Sequence, residues 1–71
     1  MPDKIYKKIE IVGTSPVSIS EAVKHAIDKA GESLRHMSWF EVKEIRGFID
    51  EHKGNEVLFQ ATLKVGFRLE D

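Results

Sequence analysis

Apolar and polar residues alternate from about Lys4 to Val12, with Ile5, Ile9 and Ile11 on one face and Tyr6, Lys8 and Glu10 on the other. That is the period-two pattern of a half-buried strand. Lys7 interrupts the apolar side, as a residue near a sheet edge does when its stem lies along the sheet. Gly13-Thr14-Ser15-Pro16 reads as the stop. Ser18-Ile19-Ser20-Glu21 then fits a capping box, with Ser18 as N-cap and Glu21 at the third helical position. Ile19, Ala22, Val23, Ala26, Ile27, Ala30 and Leu34 follow at spacings of three and four, one apolar stripe. The spacing predicts a helix running to about Arg35, with Gly31 as a weak point costing about 1 kcal/mol relative to Ala. The small Ala22, Ala26 and Ala30 let it lie close to a sheet.

A second strand is predicted from Ser38 to Asp50, a turn at His52–Asn55, and a third strand from Glu56 to Leu69. The third strand has the cleanest alternation: Val57, Phe59, Ala61, Leu63, Val65, Phe67 and Leu69 share one face. In the second, Phe40 and Val42 share a parity that Ile45 breaks. A bulge near Lys43–Glu44 returns Ile45 to the core side and turns Arg46 outward. A right-handed crossover through the helix makes strands one and two parallel, with room for strand three between them. The expected fold is therefore α+β: a β-α-β-β unit, its three-stranded antiparallel sheet in the order 1-3-2, one helix on one face.

Lengths then decide something. A helix from Ser20 to Arg35 spans roughly 24 Å, whereas the third strand spans roughly 45 Å. One helix cannot cover such a sheet, and both outer strands present unpaired edges that closed assemblies remove. The chain has 71 residues, one domain over 1–71, and a globule of that size buries only about 60% of its unfolded surface. It has no Cys, which excludes disulfides and thiolate metal sites. His25, His36 and His52 lack metal-ligand spacing. Self-association is the support that remains.

Charge narrows the partners. Eleven basic residues against 12 acidic ones provide no stripe for nucleic acid. No apolar run reaches the length of a membrane helix. MPDKIYKKIE lacks the apolar stretch of a signal peptide, so cytoplasm is the expected compartment.

Trp39, the only Trp, lies one residue off the Phe40–Val42 parity and so faces away from the helix. It is either packing in a subunit contact or a stacking platform for a flat aromatic ligand. Gln60, on the outward parity of the third strand, is either a solvated amide or a donor–acceptor pair for a heterocycle edge. Arg46 and Arg68 are either phosphate ligands or members of surface ion pairs with Glu41, Glu44 or Glu70. Gly13-Thr14-Ser15 matches neither phosphate-loop pattern. No catalytic constellation is present, so no enzyme is expected.

Val12-Gly13-Thr14-Ser15, the Ala-rich helix, Trp39-Phe40-Glu41-Val42, Phe59-Gln60 and Val65-Gly66-Phe67-Arg68-Leu69 together resemble the dodecins, in order and over essentially the whole chain. The resemblance implies a hollow homododecamer that binds flavin for storage and protection. In it, flavins lie stacked between paired Trp39 side chains and Gln60 bonds the pyrimidine edge of the ring. Arg46 and Arg68 fall near the flavin side chain and phosphate, which favours FMN over riboflavin. Some bacterial-type relatives also carry coenzyme A on the outer surface, for which Lys4, Tyr6 and Lys29 are the candidates. The rival readings are a structural oligomer without ligand and a flavin-dependent enzyme. The latter needs an open ring face and a proton-transfer group.

Overall fold

The computed structural model describes residues 4–69. It contains β1 (Tyr6–Ser15), α1 (Ile19–Ala30), β2 (Met37–Asp50) and β3 (Glu56–Arg68), with a short 3-10 turn over Glu51–Lys53. The sheet order is β1-β3-β2, and β3 pairs antiparallel with both neighbours. The α+β architecture expected from the alternation is the one observed.

The helix begins where the capping signal places it. Ser18 is extended, and its hydroxyl accepts from the Glu21 N–H at 3.0 Å. The return arm of the box is not made. The Glu21 carboxylate instead reaches His25 at 3.1 Å. Ser15 Oγ accepts from the Val17 N–H at 3.0 Å and the Ser18 N–H at 3.5 Å. This buried hydroxyl therefore ties the end of β1 to the start of α1.

The helix ends at Ala30, not near Arg35. Gly31 caps it, and the chain tightens into i→i+3 bonds, from Glu32 N–H to Lys29 O at 3.2 Å and from Ser33 N–H to Ala30 O at 3.1 Å. His36 then takes a left-handed φ of 62° and turns the chain into β2.

β1 also differs from expectation, running through Gly13-Thr14 to Ser15 instead of stopping after Val12. Long-range pairing overrides the local turn signal: Gly13 pairs with Ala61, Thr14 with Gln60 and Ser15 with Phe59. Gly13 serves helix–sheet approach. A Cβ there would run into the Ala22 carbonyl oxygen and lie 2.8 Å from the Ala26 Cβ.

In β2 the register slips between Val42 and Glu44, leaving Lys43 as the extra residue of a bulge, and slips again between Met37 and Trp39. Ile45 is thereby opposite Ala61 on the helix side. It is nonetheless 62% exposed, because α1 does not extend over it. The bulge is as the parity predicted; the burial is not.

The core consists of Ala22, Ala26, Ala61, Leu63 and Val65, with Ile9, Ile11, Ile19, Val23, Ile27 and Met37 against them. All of it lies at one end of the sheet. The 12-residue helix covers about 18 Å, while the 13-residue β3 extends for about 43 Å. Beyond the helix, Phe48, Ile49, Val57 and Leu58 stand exposed.

The chain measures 58 × 20 × 13 Å and has a radius of gyration of 15.1 Å, against about 11 Å for a compact chain of this length. Its surface is 5443 Å², against about 4,500 Å² for a folded monomer of this mass. The excess is consistent with apolar side chains at the hairpin end that nothing in the chain covers.

Candidate functional site

The sheet face away from α1 carries the residues singled out by sequence. Trp39 is paired with Gly66 across the β2–β3 ladder. The indole lies over that glycine, so that a Cβ on Gly66 would fall on ring atoms Cε2, Cζ2 and Cη2. Tyr6 of β1 meets the indole edge-on, with ring centroids 5.2 Å apart and planes at 68°. Held in this way, Trp39 is still 38% exposed.

Two positions along, Glu41 shares this face. Lys8 Nζ lies 2.8 Å from its carboxylate. The Lys8 hydrogen bond and charge hold the Glu41 carboxyl below its ordinary value, with smaller contributions in the same direction from the Trp39 side chain and Lys64. Lys43, from the bulge, pairs with Glu10 at 3.1 Å. These half-exposed pairs add little stability, but they occupy the charges between the two ends of the face.

At the far end, Gln60 is half-buried and sits between Arg46 of β2 and Thr14 of β1. The Arg46 guanidinium reaches Glu44 at 3.2 Å, which is the surface pairing weighed as its alternative. Arg68 lies at the opposite end, across from Tyr6. There it lines an open cleft of about 320 Å³ with Lys4, Tyr6, His36, Met37 and Ser38. Lys29 is not part of that cleft, and its ammonium pairs with Glu32 at 3.2 Å. Glu70, the other acidic candidate, lies outside the described residues.

The structure thus brings together Arg46 with Gln60, and Trp39 with Tyr6 and the Arg68 end. It does not bring Trp39 to Gln60. Gly66 and Gln60 are six positions apart on β3, roughly 20 Å along an extended strand. A flat ligand stacked on one chain's indole cannot reach the same chain's amide. Gly66 was missed by sequence reasoning as a functional neighbour. Its signal was a glycine inside a strand, which marks close approach by another group. Among the described residues, no three His, Asp or Glu side chains are grouped to hold a metal ion. No helix among them is long and apolar enough to cross a membrane.

The β-α-β-β architecture, the apolar residues left exposed at the hairpin end and the half-exposed indole define the class: a small α+β unit with uncovered apolar surface. The sequence profile of the Dodecin family matches residues 5–70. The dodecin of Thermus thermophilus is 52% identical over 68 residues, 96% of each chain. A crystal structure of a T. thermophilus protein superposes with a TM-score of 0.89 at 49% identity, covering 97% of this chain and 98% of that one. The dodecin of Streptomyces coelicolor superposes at 0.90 with 42% identity, covering 100% and 99%. The chain belongs to the dodecin family, small flavin-binding proteins that form oligomers.

Proposed function

We propose that this protein stores FMN in the cytoplasm as a hollow homododecamer and quenches its photochemistry, with flavins stacked between Trp39 side chains of neighbouring subunits. The observation that carries this reading is the Trp39 indole, backed by Gly66 on one side and still 38% exposed. A rigid aromatic face offered to solvent from a glycine seat suits a planar ring. Gln60, from another subunit, offers both a donor and an acceptor to the pyrimidine edge. Arg46 and Arg68 supply charge for a phosphate, which favours FMN over riboflavin. An electron-rich indole in contact with the ring quenches its excited state by electron transfer. Trp39, Gln60 and the arginines supply stacking, hydrogen bonds and charge but no positioned proton-transfer group, so the reading is a store and not an enzyme. Coenzyme A is a second proposed ligand, at the cleft of Lys4 and Tyr6, with Lys29 as a more distant candidate.

The test is Trp39→Ala. Stacking on one aromatic face is worth about 1–3 kcal/mol, so the dissociation constant should rise roughly tenfold or more. Bound flavin should regain fluorescence while the oligomer survives. Intact binding and quenching with a broken assembly would instead make Trp39 interface packing, the reading of a structural oligomer without ligand.

A further inference from the structure

We infer that Gly66 is a positioning residue for the stacking platform: its missing side chain is the seat that holds the Trp39 indole flat on the sheet and leaves the opposite ring face free. The stacking part rests on the flavin reading above; the seat does not.

A glycine inside a strand needs a reason, since it weakens the strand and packs nothing. Gly66 lies within β3 between Val65 and Phe67, and its outward neighbours Lys64 and Arg68 both carry long side chains. Backbone conformation is not the reason, because Gly54 is the glycine with a positive φ. Gly47, on β2, shows what an unconstrained glycine looks like: a Cβ there would meet its nearest atoms at 3.9 Å, an ordinary contact. At Gly66 the space is filled by three consecutive atoms of the indole's six-membered ring, Cε2, Cζ2 and Cη2. All three lie almost equally near the Cβ position. An edge-on ring would present one atom and recede on either side, so the ring must lie face-down over the glycine.

Gly66 is itself buried, while Trp39 above it is not. Tyr6 meets the ring edge-on from the β1 side, and Glu41 interacts with the Trp39 side chain from its own strand. The glycine consumes one π-face and presents the other. Any side chain at 66 would lift the indole and tilt that second face. An aromatic lying on a strand glycine also shields its backbone, and that purely structural role has to be separated by experiment.

A double-substitution cycle on the assembled protein separates them. Gly66→Ala, Trp39→Ala and the pair are titrated with FMN and riboflavin, and each is also examined without flavin by near-ultraviolet circular dichroism. Gly66→Ala should weaken both flavins about as much as Trp39→Ala does and restore their fluorescence with Trp39 still present. Its tryptophan dichroism should collapse. In the Trp39→Ala background, Gly66→Ala should cost no further affinity. If Gly66→Ala alone fails to assemble, the double variant should assemble, because the space is vacated; that rescue also supports the seat. Unchanged binding and dichroism in Gly66→Ala overturns the inference. So does an equal loss of affinity in both backgrounds, or failure of both variants to assemble. A dichroism change in a protein whose wild type binds no flavin would leave the seat standing and remove the stored ligand.

Discussion

Gln60 faces Arg46 across the β2–β3 ladder, while Trp39 stands opposite Gly66, six positions further along. On the proposed flavin reading, that separation requires Trp39 and Gln60 of one site to come from different subunits. Subunits carrying Trp39→Ala and subunits carrying Gln60→Ala should each bind flavin weakly. Refolded together, they should regain part of the binding, because some interfaces then join an intact Trp39 to an intact Gln60. Fluorescence titration of the mixture against the sum of its parts is the measurement. No recovery would mean that both groups act from one chain.

Arg46 is engaged with Glu44 at 3.2 Å, so its availability to a phosphate depends on that carboxylate. Replacing Arg46 or Arg68 with Ala should weaken FMN more than riboflavin, and added salt should narrow the gap. Glu44→Gln should move the other way. Releasing an exposed pair is worth up to about 1 kcal/mol, or about fivefold in favour of FMN. Equal effects on both flavins would assign the arginines to the fold or the ring.

Assembly follows from the uncovered half of the sheet. Sedimentation at micromolar concentration should show one species near twelve copies of the 8.1 kDa chain. On the reading that subunits complete one another's core, thermal unfolding should coincide with dissociation, and its midpoint should rise with protein concentration. A folded monomer with a concentration-independent midpoint would contradict this.

Glu41 carries the pH prediction. Its carboxyl is lowered first by Lys8, so the pair's contribution is fully present above the unfolded carboxyl's pKa. It is lost as the pH falls through the lower, folded one. The effect on stability is small for so exposed a group. Side-chain carboxyl NMR should find Glu41 titrating below the ordinary glutamate value, and Lys8→Met should move it back toward that value. An unmoved Glu41 would show that Lys8 is not the cause.

Much of this was legible in local pattern. The Ser18 cap, the β3 alternation and the Lys43 bulge each rest on a few neighbouring residues, and each is present. Trp39 and Arg46 differ by an odd number yet share a face, which only the bulge permits. What escaped the pattern depended on distant contacts. Gly13-Thr14-Ser15 has turn composition, yet it pairs with Phe59, Gln60 and Ala61 because β3 extends past it. The helix stops at Ala30 although its apolar stripe continues to Leu34, since Gly31 and the reversal at His36 turn the chain toward β2. Parity placed Trp39 and Gln60 on one face, but parity carries no information about distance along a strand.

The overhanging hairpin has a consequence for the life of a newly made chain. Until copies meet, Phe48, Ile49, Val57 and Leu58 have nowhere to go. A long hairpin with exposed apolar residues and open edges is also what aggregation selects. Productive encounter and misassembly therefore draw on the same surface and both quicken as chains accumulate. Slow, dispersed synthesis starves the first, and a burst of expression feeds both. The fraction of chains that assemble then depends on the outcome of this race.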